Sequence, residues 1–177
     1  MNSSKLKIFW LCNCALSDLD TGGSGAWLAA MAQGLLNTGE IDLGVISTWR
    51  GQVFKQSDHK QVKQWLVPTR NRFWRYGLPP ATMVNSIVTA VAGFAPDLIH
   101  VWGTEEFWGL LTARKLLKYP ALLEMQGMKG EIAKPYYGGL TWSERLSCIG
   151  PKEVLLRKTM EVDRYRFARW GRLDDSL

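Results

Sequence analysis

The stretch from Pro96 to Leu111, PDLIHVWGTEEFWGLL, sets a histidine, a glycine and two carboxylates at the end of a short apolar run. Asp97-Leu98-Ile99-His100-Val101 has the make-up of a buried strand, and Gly103-Thr104 that of a turn. Thr104-Glu105-Glu106 then opens a helix with acidic side chains at its positive end. Open α/β sheets bind ligands beyond such strand ends, so a polar site is predicted near Gly103 to Glu106. A second element, Thr21-Gly22-Gly23-Ser24-Gly25, falls between the first apolar run and the first helical pattern. Glycines there let backbone N–H groups and the helix dipole approach a phosphate or a sugar hydroxyl. A glycine-rich turn needed only for close helix packing is the plainer alternative. The loop departs from the dinucleotide fingerprint at Leu28, where a small residue is required. The second strand runs into Ser47-Thr48-Trp49-Arg50 without the acidic residue that clamps a ribose. No Gly-Lys-Ser/Thr closes a P-loop either.

The elements that must hold these residues alternate. Lys7 to Cys12 is an apolar strand, and Gly25 to Asn37 has helical spacing with Gly39 as its stop. Leu43 to Ser47 and Gln64 to Val67 are further strands, the latter closed by Pro68. A polar, basic segment, Trp49 to Lys63, lies between those two strands. Pro79 and Pro80 suit the first turn of a helix ending near Ala92. After the strand at 97–101 come a helix from Glu106 to Leu117 and a fifth strand, Ala121 to Met125, closed by Gln126-Gly127. Strands that are continuously apolar rather than alternating are covered on both faces. The pattern therefore predicts an α/β, Rossmann-like doubly wound, mostly parallel sheet flanked by helices. Residues 128–150 read as a long, functional loop, and a basic helix follows from Pro151 to about Trp170.

With 177 residues, 46% hydrophobic and 21% charged, the chain fits a single globular domain. No apolar run approaches the roughly 20 residues of a membrane-spanning helix, and no signal pattern opens the chain, so a cytoplasmic protein is expected. Three cysteines suit a reducing compartment and read as buried thiols. With only His59 and His100 beside them, no zinc pattern can be assembled and no metal is predicted. The net charge of +6 is concentrated in residues 50–76 and 152–172. Such clusters attract phosphate or are simply solvated faces, and no nucleic-acid-binding signature accompanies them. The Arg-rich stretch from Lys152 to Arg172 could lie on an anionic membrane at the inner face, or only cover the sheet.

Three motifs in register, TGGSGAWLAAMAQGL, PDLIHVWGTEEFWGL and ALLEMQGM, resemble the N-terminal domain of family 4 glycosyltransferases with the GT-B fold, over about residues 5 to 170. The resemblance implies one half of a two-domain enzyme of the hexosyltransferase class. In such enzymes this half holds the acceptor, and the other binds a nucleotide-diphospho-sugar donor. Transfer retains the anomeric configuration and uses no metal or cofactor. On the same footing, Gly22 and Gly23 look like the family's di-glycine loop, with Ser24 beside them. His100 matches the histidine of its inner strand, and Trp102 stands where a second histidine is common. Gln126-Gly127 takes the place of a His-Gly pair, able to hydrogen-bond a sugar but not to transfer a proton. The implied substrate-binding set is Gly22, Gly23, Ser24, His100, Thr104, Glu105, Gln126 and Gly127. Trp102, Trp108 and Trp142 are the aromatic faces expected nearest the cleft.

A complete enzyme of this kind is about twice this length, so residues 1–177 are expected to form a single Rossmann-like domain without the donor-binding one. Glu153 and Glu161 have the spacing of the family's Glu-x7-Glu donor signature but lack its glycine-rich context, and residues eight apart on a helix simply share a face. The expected function is acceptor binding for sugar transfer to a glycan or lipid-linked acceptor, inactive alone. The alternative is a non-catalytic Rossmann-like module that pairs with a separate donor-binding chain.

Overall fold

The structure, a computed structural model, describes residues 4–16, 26–68, 77–104, 106–125 and 127–174. Its strands are β1 (Leu6–Cys12), β2 (Ile41–Trp49), β3 (Lys55–His59), β4 (Val62–Pro68), β5 (Leu98–Trp102) and β6 (Ala121–Glu124). Its helices are α1 (Ala26–Asn37), α2 (Ala81–Phe94), α3 (Trp108–Ala113), α4 (Lys129–Ala133), α5 (Trp142–Ser147), α6 (Pro151–Leu155) and α7 (Met160–Asp174). The strands form one sheet in the order β3-β4-β2-β1-β5-β6, parallel except for β3, which pairs antiparallel with β4. This is the α/β, Rossmann-like, mostly parallel sheet flanked by helices that the apolar runs predict.

The continuous apolarity of β1 has a direct structural reading, because successive side chains feed opposite layers. Phe9 and Leu11 join Ile46, Val67, Ile99 and Val101 beneath α2 and α3, whereas Trp10 and Cys12 join Leu43, Val45 and Trp102 beneath α1. On α2 the buried residues Val84, Ile87, Val91 and Phe94 fall on one stripe, and Ala95 ends the helix in the left-handed conformation at φ 52°. Gly44, in the middle of β2, leaves room for an aromatic ring. A Cβ there would stand 2.8 Å from Phe9 Cδ2, and Phe9 in turn packs on Trp65 and Phe94 at 5.2 and 5.3 Å between centroids.

Several expectations change. The polar segment 49–63 contains β3, a strand of Lys-Gln-Ser-Asp-His whose edge position needs no apolar face. The helix expected from Glu106 to Leu117 is the shorter α3, which begins only at Trp108 and ends before Lys115, at a positive φ of 57°. The long loop at 128–150 contains α4 and α5, and the single basic helix after Pro151 is broken into α6 and α7 around Arg157, at φ 52°. Cys12 is buried, but Cys14 is half-buried and Cys148 exposed, so the expectation of buried thiols holds for the first alone.

Candidate functional site

Numbered outward from β1, the chain winds one way to β2 and β4 and the other way to β5 and β6, so the strand order reverses between β1 and β5. Parallel pairing places Cys12 beside Ser47 and Leu11 beside Val101, which brings the C-terminal ends of β1, β2 and β5 to one edge of the sheet. Ligand crevices of doubly wound sheets open there.

Asn13, the first residue past β1, knits this edge together. Its backbone carbonyl accepts from Thr48 Oγ1 at 2.9 Å, and its side-chain oxygen accepts from Trp108 Nε1 at 2.9 Å. The next fixed point is Leu16, whose backbone N–H donates to Gln64 Oε1 at 2.7 Å and whose carbonyl accepts from Gln64 Nε2 at 3.3 Å. A buried glutamine on β4 thus holds the chain at the entrance to the glycine loop by both backbone groups. Sequence reasoning missed Asn13 and Gln64. The available signal was a polar residue closing one apolar run and another opening a second.

His100 points to the α1 side of β5, 14% exposed, with its ring stacked on Trp102 at 4.0 Å between centroids. Its Nε2 lies 3.4 Å from Glu124 Oε2 on β6, close enough for attraction but misaligned for a hydrogen bond. Burial pushes the His100 pKa below 6.5, and the Glu124 carboxylate only partly opposes it. At neutral pH the imidazole is therefore uncharged. Burial also pushes the Cys12 thiol up to about 12, so this buried sulfur stays protonated and is no nucleophile.

Aromatic rings continue outward from His100. Trp102 meets Trp10 edge-on at 5.1 Å and Trp27 of α1 at 4.9 Å, and Trp27 is 40% exposed. Four buried polar atoms at or beside these strand ends, Trp10 Nε1, Trp102 Nε1, Ser47 Oγ and Thr104 Oγ1, have no hydrogen-bond partner among the described residues. Unsatisfied buried donors cost free energy, so their grouping at these strand ends marks the most polar part of this edge of the core. Gly103, at φ 84°, ends β5 and donates its N–H to Glu124 O at 2.9 Å, which ties the turn to β6.

Of the expected site residues, His100 is the middle residue of β5, Thr104 lies two residues past its end, and Gly127, at φ 154°, lies just past β6. Gly22, Gly23, Ser24, Glu105 and Gln126 fall outside the described residues. Trp102 and Trp108 are buried in the core rather than open as sugar platforms, and Trp142 stands on α5. The half-exposed aromatic face at this edge belongs to Trp27. Among the described residues no group of three or more His, Cys, Asp or Glu side chains could hold a metal ion.

No protein-family model matches the sequence, and no curated relative matches it. Among solved structures the chain is similar to sucrose-phosphate synthase from Thermosynechococcus elongatus, with 10% sequence identity and a TM-score of 0.47. The match covers 88% of this chain and 40% of that one, so it spans less than half of the synthase.

Proposed function

We propose that the chain is the acceptor-binding half of a retaining GT-B glycosyltransferase, which moves a sugar from a nucleotide-diphospho-sugar to a glycan or glycolipid. The observation that carries this reading is the edge at the β1/β5 ends, where the half-exposed Trp27 indole packs on Trp102 and a neutral imidazole lies beside the Glu124 carboxylate. Sugars present apolar C–H faces to aromatic rings and hydroxyls to fixed donors and acceptors, and this set offers both. Charged ligands suit it less, because no fixed cation is among these groups. The glycine loop at Gly22, Gly23 and Ser24 follows the segment that Gln64 anchors. Together with a donor-binding domain, it would stabilise the leaving diphosphate through backbone N–H groups. Glu105, Gln126 and Gly127 would then reach the transferred sugar from the β5 and β6 tips.

Calorimetric titration of the chain with oligosaccharide acceptors and with nucleotide sugars tests this division of labour. The expected result is acceptor binding that Trp27→Ala weakens about tenfold, the scale of a lost aromatic contact in a binding site. Nucleotide sugars should bind weakly or not at all. Tight binding of a nucleotide sugar by this chain alone would overturn the assignment.

A further inference from the structure

The two edges of the sheet meet solvent differently. Edge strand β3 sets Lys55, Asp58 and His59 along its length, and such side chains guard an edge against pairing with another chain. Edge strand β6, Ala-Leu-Leu-Glu, has no such guard, because Ala121, Leu122 and Glu124 are exposed and Leu122 is so to 51%. The ladder to β5 fixes which backbone groups look outward. Ile99 N–H donates to Pro120 O and Gly103 N–H to Glu124 O, so residues 120, 122 and 124 turn their backbone toward β5. Ala121 and Leu123 turn theirs away from it, where no strand pairs with them among the described residues. Pro120 does not blunt this edge, since its missing N–H belongs to the inner side. Leu122 is in register with His100, and Glu124 lies 3.4 Å from His100 Nε2, so these two side chains share the α1 side while Leu123 packs beneath α2 and α3. We propose that β6 is a self-association edge, at which two copies of the chain pair antiparallel about a two-fold axis through Leu122 and join their sheets into one.

The occupant is a second copy because the strand is complementary to itself. Centred on Leu122, the pairing sets outward-facing Ala121 against the partner's Leu123, and Leu123 against the partner's Ala121, as the hydrogen-bonded pairs of an antiparallel ladder. Leu122 then meets the partner's Leu122 in the closer, non-hydrogen-bonded position, with about 5 Å between Cβ atoms, which covers the apolar side chain that one copy leaves in water. Charge fits the same order. Arg114, Lys115 and Lys118 lead into the strand and Glu124 closes it, so antiparallel pairing brings each basic end to an acidic one. Glu124 and the partner's Glu124 stand roughly 13 Å apart, past the screening length of about 8 Å. A ladder this short buries little area, so the dimer should be weak and should dissociate on dilution. The inference stands independently of the glycosyltransferase reading.

The test is analytical ultracentrifugation of the whole chain over concentrations from about 1 μM to about 200 μM, the range in which a weak dimer forms and dissolves. A monomer–dimer equilibrium is expected. Leu122→Lys sets two like charges against each other at the axis and should raise the dissociation constant about tenfold or more, with the circular dichroism spectrum unchanged because the side chain is half exposed. Ala121→Pro removes an outward donor and no bond to β5, and it should weaken the dimer about tenfold even if Leu122→Lys disturbs the fold. Gln56→Lys, on the opposite edge, should change nothing. Register is read from Leu122→Cys, made together with Cys148→Ser to remove the exposed native thiol, which should give a disulfide-linked dimer under mild oxidation. A chain that stays monomeric throughout, a dimer indifferent to Leu122→Lys and Ala121→Pro, one that Gln56→Lys dissociates, or failure of Leu122→Cys to cross-link would overturn the proposal.

Discussion

The sheet and the helices that follow β6 hold themselves together by different means. In the sheet, two apolar clusters fill the faces from Phe9 to Leu117, and neither contains a residue from 129–174. In the helical region the contacts are directional. The Arg145 guanidinium stacks 3.5 Å from the Tyr137 ring and 3.9 Å from the Trp142 ring and pairs with Glu161, which also accepts from the Tyr137 hydroxyl. Tyr136, Phe167 and Trp170 add a short aromatic row beside them. Burial is non-directional and nearly additive, so the sheet should lose stability in proportion to what is removed. A small network anchored on one arginine should instead fail as a unit.

The largest effect that could break this contrast is Phe9→Ala. Phe9 is wholly buried between Trp65 and Phe94, and truncation should cost about 3–5 kcal/mol in urea unfolding. A cost below about 1 kcal/mol would mean that the core is not organised around this ring. Gln64→Met comes next, because it strands the buried N–H and carbonyl of Leu16 and should cost about 2–3 kcal/mol. Arg145→Ala should remove about 1–2 kcal/mol, and only locally, because its partner Glu161 is 43% exposed. Hydrogen exchange should speed up across α5 to α7 and stay unchanged in β1 and β5. Faster exchange in β1 would join the two regions into one cooperative unit.

Acid offers a finer probe of the same contrast. The Tyr137 hydroxyl, and then Arg145, hold the Glu161 carboxyl below its usual 4.5. A depressed carboxylate contributes stability that is present above the unfolded value and is lost as pH falls through the folded one. The helical region should therefore loosen below about pH 4.5, with exchange rising in α7 before β1, and Glu161→Gln should weaken that dependence and leave the part due to Glu144, whose carboxyl the Thr141 hydrogen bonds also hold below its usual value.

What could be read from the sequence follows the same division. Strands β1, β2, β4 and β5 announce themselves as apolar runs because burial writes itself into composition, and Pro80 precedes α2 as the punctuation suggests, although the helix runs on to Phe94. Strand β6 is as apolar but lies largely exposed at the sheet edge, so its composition does not report cover on both faces. Strand β3 is polar and exists through its ladder to β4, which no apolar period records. Residues 129–174 are joined by Arg145, Tyr137 and Glu161, partners far apart in the chain whose types fit a solvated surface equally well. The site divides likewise. Strand-end logic pointed to His100 and Thr104, which lie within and just after β5. Asn13, Gln64 and Trp27 matter through partners that only the fold brings near.

The smallest expected effect tests whether the candidate crevice belongs to the rigid region. His100 sits between Trp102 and Glu124, with its pKa lowered first by burial and restored in part by the carboxylate. Below pH 6.5 the unfolded chain takes up a proton that folded His100 resists, so stability should decline as pH falls through that value. Glu124→Gln removes the opposing attraction, lowers the folded pKa further and should steepen the decline, whereas His100→Asn should flatten it. Urea midpoints between pH 5 and 8 would show this as a slope confined to the acid side of 6.5. A stability that instead rises on acidification would mean that the imidazole is held as a cation against Glu124. The crevice would then present a fixed charge to its ligand, and a phosphate-bearing acceptor would suit it better than a neutral sugar.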